Sequence, residues 1–230
     1  MRRTIHIAVI VCVSAATALI GATNINPYQK WGWGENIGWT NWRDANGGNE
    51  GVHIGVTFLS GYIWGENVGW INVGDGTPAG GTYYANINGT DFGVNIDVND
   101  DLYGLAWGEN IGWINFDTRS KGAQRARADR VANRLRGYVW GENVGWVNLD
   151  DATDYVGFME CTCGDIDESG GPIDLNDFVA FANCFGKLPT SSPECLCSDL
   201  DGSGVIDLND FVIFSNLFKK TSTKYPPNCP

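Results

Sequence analysis

From about residue 23 to 158, short runs of alternating apolar and polar residues are broken every few positions by glycine, asparagine or aspartate. That punctuation predicts short strands joined by tight turns. The run Tyr62-Ile63-Trp64 leads into Gly65-Glu66-Asn67-Val68-Gly69 and leaves through Trp70-Ile71-Asn72-Val73. Aromatic and branched residues on either side of a glycine-bounded Glu-Asn pair form a hairpin, with Asn or Gly taking the positive φ of the turn. The pattern Trp-Gly-Glu-Asn-x-Gly-Trp is written four times, at 33–39, 64–70, 107–113 and 140–146, with x either Ile or Val. One further residue and an asparagine follow each copy: Asn41, Asn72, Asn115 and Asn148. The first tryptophans are 31, 43 and 33 residues apart, a spacing that marks a repeat architecture.

The register within a hairpin depends on loop length. A three-residue loop Glu66-Asn67-Val68 sets Gly65 opposite Gly69 and Trp64 opposite Trp70, a cross-strand pair that contributes roughly 0.2–1 kcal/mol over alanine. A two-residue loop sets Trp64 against Gly69 instead. Leu59, Leu102 and Leu135 stand two residues before Gly61, Gly104 and Gly137 and extend the unit upstream. Residues 52–58 and 94–98 read as further strands, giving about three per unit. The spacing of 43 reflects an insertion at 74–91. Residues 119–136 have helical propensity over 123–133, but their place in the repeat asks for a strand, which is the reading adopted. Apolar residues on both faces of these strands require cover on both sides. The expected fold is therefore mainly β: an antiparallel all-β repeat domain of four Trp-rich hairpin units, sandwich-like or stacked, followed by a small α-helical module. Tryptophans flanking glycines inside strands are expected to pack into the core.

The C-terminal part changes pattern. Residues 199–210 (Asp-Leu-Asp-Gly-Ser-Gly-Val-Ile-Asp-Leu-Asn-Asp) form a twelve-residue calcium loop. Oxygen ligands fall at Asp199, Asp201 and Ser203, glycine occupies position 6, Val205 offers its carbonyl, and Asp210 closes the loop. Ile206 at position 8 fits two loops pairing through a short β-bridge. A second version spans 165–177 with one residue more near Gly171-Pro172, where Asp165, Asp167, Ser169 and Asp177 should converge. Alternating acids on a tight loop suit a hard cation and not zinc, so up to two calcium ions are expected. An amphipathic helix follows each loop, over 178–185 and 211–218, with Phe178, Phe181, Phe185 and Phe211, Phe214, Phe218 on one core stripe. No convincing helix precedes either loop.

Composition adds the compartment. Residues 1–22 carry Arg2 and Arg3 ahead of a short apolar, small-residue run, a secretory signal peptide cleaved after Ala18 or Ala22. Its run is too short for a membrane span, and no later segment is long enough. The formal charge of −12 becomes −14 once both arginines leave, which disfavours nucleic acid. Six cysteines then remain, all between 161 and 229. They divide the chain into a β-repeat domain at 23–158 and a stapled module at 159–230. Cys-x-Cys twice in an exported chain points to disulfides, with fifteen pairings open and a zinc site as the rival. A bridge from Cys229 would tie down the Pro-rich tail.

The duplicated loop and single helix, with Asp at position 12, resembles the type I dockerin family over residues 164–220. The resemblance implies a calcium-dependent fold that docks to a cohesin-like protein, with recognition at loop positions 10 and 11. Those positions are Leu175-Asn176 and Leu208-Asn209, and the two identical pairs would permit two binding orientations. The inserted residue and the cysteines depart from the family pattern. The front repeats resemble Trp-Gly-Glu-Asn repeats of exported bacterial surface proteins.

Function narrows by exclusion. Past residue 22 the only histidine is His53, which argues against His-based triads and His-rich metal sites. Glu35, Glu66, Glu109 and Glu142 share one turn position, so they read as turn residues and not as a glycosidase carboxylate pair. The basic cluster from Arg119 to Arg136 reads as a solvated face, with a patch for acidic glycan as the rival. The expectation is a non-catalytic secreted or cell-surface protein attached through its calcium module. The alternative is a polysaccharide-binding or glycoside hydrolase-associated component of an extracellular carbohydrate-degrading assembly.

Overall fold

The computed structural model describes residues 23–48, 50–167, 169–226 and 229–230; the leader expected at 1–22 lies outside them. The strands among the described residues are β1 (Ile25–Gly34), β2 (Gly38–Asn41), β3 (His53–Ile54), β4 (Leu59–Gly65), β5 (Gly69–Gly74), β6 (Val94–Ile96) and β7 (Leu102–Gly108). They continue as β8 (Gly112–Asn115), β9 (Arg127–Asp129), β10 (Arg134–Arg136), β11 (Tyr138–Gly141), β12 (Gly145–Asn148) and β13 (Val156–Phe158). The four repeats are the hairpins β1–β2, β4–β5, β7–β8 and β11–β12. They join side by side, and β12 returns to pair antiparallel with β1. Eight strands thus close into an antiparallel barrel, where a sandwich or stack was expected. Closure leaves the hairpins no open edge.

The repeated heptad explains itself in this ring. Trp64 faces Trp70 and Gly65 faces Gly69, so the loop has three residues, and the other three copies share the register. The second glycine of each copy (Gly38, Gly69, Gly112, Gly145) has φ between +72° and +78°, the left-handed position of a type I turn with a bulge. The residue before it folds back over the barrel end, where Ile37, Val68, Ile111 and Val144 are all buried. The first glycine makes room for it: a Cβ on Gly65 would sit 2.4 Å from Val68 Cγ2. The turn asparagines tie one hairpin to the next. Asn36, Asn67, Asn110 and Asn143 donate from Nδ2 to the carbonyls of Val144, Ile37, Val68 and Ile111 at 3.0–3.2 Å. These four bonds run once around the barrel rim.

The other end of the barrel holds the short strands. β3 pairs with β4, β6 with β7, β9 with β10, and β13 with β1. The chain's last strand therefore supplies the first unit's missing partner. Residues 119–136 contain a 3₁₀ turn, Arg119–Gln124, and two strands, as their place in the repeat asked. Five arginines of this cluster (Arg119, Arg125, Arg130, Arg134, Arg136) form ion pairs with acids, among them Asp101, Asp129 and Asp150. The rival reading, a basic patch, is largely neutralised by these pairs. The interior is mainly aliphatic, with Ile63, Ile71, Ile114, Val139, Val147, Leu59, Leu102 and Leu135, and it also buries Trp42, Phe116 and Phe158.

One expectation about the core fails. The eight repeat tryptophans stand on the outside of the barrel and are 36–43% exposed. Strand alternation sends Ile63 and Gly65 inward, which forces Trp64 outward. On the outer face the indoles pack against one another, their cross-strand pairs lying 4.7–5.0 Å apart and tilted by 60–69° in three of the hairpins.

Residues from Met159 onward form a second core around Phe181, Phe214, Ile166, Ile173, Leu200 and Ile206. Disulfides join Cys161 to Cys197, Cys163 to Cys229 and Cys184 to Cys195. All six cysteines of this segment are used, which leaves no thiolate for zinc. Each bridge stabilises so small a unit by about 2–4 kcal/mol. The helices are α1 (Leu175–Cys184), α2 (Pro193–Leu196) and α3 (Leu208–Leu217). α1 and α3 begin three residues earlier than expected, and the short α2 does precede the second loop. Phe181 and Phe214 stack at 5.3 Å inside, but Phe178, Phe185 and Phe211 remain exposed, so the phenylalanine stripe is only half core.

Two glycine substitutions separate turn strain from steric exclusion. Gly69→Ala should cost about 1–2 kcal/mol through its left-handed φ alone. Gly61→Ala should cost upward of about 3 kcal/mol, because φ is +98° and its Cβ would meet the Gly51 carbonyl oxygen at 2.4 Å. Urea unfolding of both variants checks the order; equal small losses would mean that the chain does not cross itself at Gly61.

Candidate metal loops

Each loop is organised by the carboxylate at its end. Asp210 accepts from the backbone N–H groups of Leu200, Asp201 and Asp207 at 2.7–3.1 Å. Asp177 does the same for Ile166, Asp167 and Asp174 at 2.8–3.3 Å. Both are also the third helical residue of a capping box whose N-caps are Asp174 and Asp207. The cap explains why α1 and α3 start at Leu175 and Leu208. Burial pushes both carboxyls above their ordinary range, against the pull of the backbone donors. In each loop the glycine at position 6 donates to the first aspartate, Gly170 to Asp165 and Gly204 to Asp199.

Three carboxylates therefore gather in each loop. One oxygen each from Asp165, Asp167 and Asp177 lies within 4.8 Å of the others, and the same holds for Asp199, Asp201 and Asp210. Like charges this close repel unless a cation or a proton joins them. Asp199 is buried, and its Oδ1 accepts no hydrogen bond among the described residues. A buried, unpartnered carboxylate oxygen is costly, and a divalent cation would satisfy it. The donors are all oxygens, which suits a hard cation. Of the remaining expected ligands, Ser203 Oγ donates to the Val205 carbonyl at 3.0 Å, and Ser169 hydrogen-bonds Asp167.

The position-8 residues do not bridge to each other. Ile206 exchanges backbone hydrogen bonds with Gly186 and Lys187, just past α1, while Ile173 does so with Lys219 and Lys220, just past α3. Each loop is thus sewn to the exit of the other loop's helix. Leu175, Val179, Leu208 and Val212 lie exposed on the two helices, forming related apolar faces.

Sequence reasoning missed one contact altogether. Tyr28, on β1, donates its hydroxyl to Asp199 Oδ2 at 2.5 Å. Burial, and then the Asp199 carboxylate, push the phenol well above its ordinary range. The buried Arg43 also reaches across, donating to the Pro226 carbonyl at 3.3 Å. The second loop is therefore fastened to the barrel. Nothing in local spacing could announce this, because 171 residues separate Tyr28 from Asp199.

No family model, curated protein or solved structure matches the chain. No helix among the described residues is long and apolar enough to cross a membrane.

Tyr28→Phe keeps the ring and removes the bond to Asp199. It should lower unfolding stability by about 1.5–3 kcal/mol, the range for a hydrogen bond to a charged group. Urea unfolding of the full chain measures it; an unchanged midpoint would place the phenol away from Asp199.

Proposed function

We propose that this is an exported, non-catalytic recognition or structural protein. Its barrel is carried outside the cell, and its C-terminal dockerin-like module attaches it to a partner when calcium is bound. The observation that carries the reading is the pair of matching carboxylate clusters, one of them with the buried, unpaired oxygen of Asp199. Asp177 and Asp210 link each cluster to the first turn of a helix, so an ion there would hold α1 and α3 at fixed angles. The disulfides support an oxidising compartment. The exposed apolar residues of both helices, beginning at Leu175-Asn176 and Leu208-Asn209, would form the surface for a cohesin-like or cell-surface partner. The two equivalent faces support binding in either of two orientations. The alternative, a polysaccharide-binding component of a carbohydrate-degrading assembly, is favoured by the half-exposed indoles of the barrel.

Calorimetric titration of the full chain with calcium should show binding at both loops and a raised melting temperature, by about 2.7 kcal/mol of added stability at a hundredfold excess over Kd. Asp167→Asn and Asp201→Asn retain the oxygen that accepts from Ser169 and Ser203 N–H. Each should abolish one binding event and leave the calcium-free melting temperature unchanged. Absence of heat and of any melting shift in the parent protein would remove the calcium reading.

For attachment, Leu175→Lys with Leu208→Lys should abolish chelator-sensitive capture of a partner from the producing cell's surface fraction, while either change alone retains it. Capture that ignores both chelator and the double change would contradict docking through these helices.

A further inference from the structure

Every position of the heptad except one is explained by the fold. The tryptophans pair, the glycines make the turn and its clearance, the asparagine links neighbours, and Ile or Val plugs the barrel end. The glutamate at the turn tip makes no side-chain hydrogen bond or ion pair among the described residues. Glu35 and Glu66 nevertheless line clefts on the barrel's outside, each facing the second tryptophan of the preceding hairpin: Glu35 with Trp146, and Glu66 with Trp39.

The indoles have company there. A third aromatic ring stands edge-on to the second tryptophan of each hairpin: Trp31, Tyr62, Phe92 and Tyr138, at 5.1–6.5 Å. In the third hairpin the equivalent strand position is Leu105, and the ring comes instead from Phe92 outside the strand. So much aromatic surface left half in water marks an interaction site.

A cleft of about 510 Å³ lies at the seam where β12 meets β1 and is lined by Trp33, Glu35, Lys121, Tyr138, Trp146 and Asn148. Its charges decide the ligand class. The Lys121 ammonium already sits 5.3 Å from the Trp146 ring centre, which opposes a cationic ligand, and Glu35 opposes an anionic one. Flat aromatic faces beside a carboxylate, an ammonium and an amide suit a neutral, many-hydroxyl ring with apolar C–H faces. We propose that the β12–β1 cleft binds a neutral glycan, with Trp146 and Tyr138 contacting sugar rings and Glu35 and Asn148 accepting or donating to hydroxyls. This goes beyond attachment through the C-terminal module and does not depend on it.

Native affinity electrophoresis of the full chain through gels containing soluble xylan, galactomannan or hydroxyethylcellulose tests the proposal. Retention on at least one of them is expected, and it should persist in chelator, which separates this site from the metal loops. Trp146→Ala should weaken retention roughly tenfold, from lost ring contact and apolar burial. Glu35→Gln, which touches no fold contact, should weaken it severalfold with an unchanged melting temperature, and it stands as the test if the tryptophan variant fails to fold. Absence of retention on all three glycans would overturn the proposal. So would retention that both variants leave intact, or that chelator abolishes.

Discussion

The structure depends on a five-residue turn that does three things at once. In Gly65-Glu66-Asn67-Val68-Gly69 the second glycine takes a backbone angle that L side chains avoid, and Val68 thereby swings inward onto the space the first glycine leaves. The same turn presents the Asn67 amide to the Ile37 carbonyl of the hairpin before it. Repetition turns that single link into a ring. A sheet of four such hairpins keeps two free edges until β12 meets β1 and Asn36 reaches Val144. The barrel's closure, its plugged end and its register all follow from one short sequence. A change in the turn would be felt in the neighbouring hairpin as well as its own.

Putting the small residues and aliphatics inside has a consequence outside. The barrel bore is filled by Ile, Val, Ala and Gly, so strand alternation leaves the tryptophans facing solvent. They recover part of their burial by packing against each other edge to face. The rest stays exposed, in clefts where the turn glutamates lie. At the far end the barrel offers the Tyr28 hydroxyl and the Arg43 guanidinium to the second module. The second acidic loop is therefore built into a junction between the two cores, through the bond from Tyr28 on β1 to Asp199.

Much of this was legible in the chain. The hairpins follow from local pattern, whereas the runs 52–58 and 94–98 form only the short strands His53–Ile54 and Val94–Ile96. The Trp64–Trp70 register, open between two loop lengths in the sequence, is the one a three-residue loop gives. The loop carboxylates were legible because a tight loop must present oxygens at fixed intervals. What failed was non-local. Alternation tells which residues share a face but not which face is inside, and Trp64 and Ile63 are equally apolar on paper. Whether four hairpins stack, sandwich or close depends on the link from Asn36 to Val144, which spans 108 residues. The Ile173 and Ile206 pairings were misjudged for the same reason: the strand partners are the helix exits and not each other. Helix starts were set by Asp174 and Asp207 as caps, a role hidden by their reading as loop positions.

The most direct measurement of closure is nuclear Overhauser spectroscopy on the seam that joins the first and last hairpins. Cross-strand contacts between Gly34 and Val147 and between Trp33 and Asn148 are expected, with slowly exchanging side-chain amides at Asn36, Asn67, Asn110 and Asn143. Contacts confined within each hairpin, with none between residues 33–34 and 147–148 and all four amides exchanging freely, would contradict the closed ring.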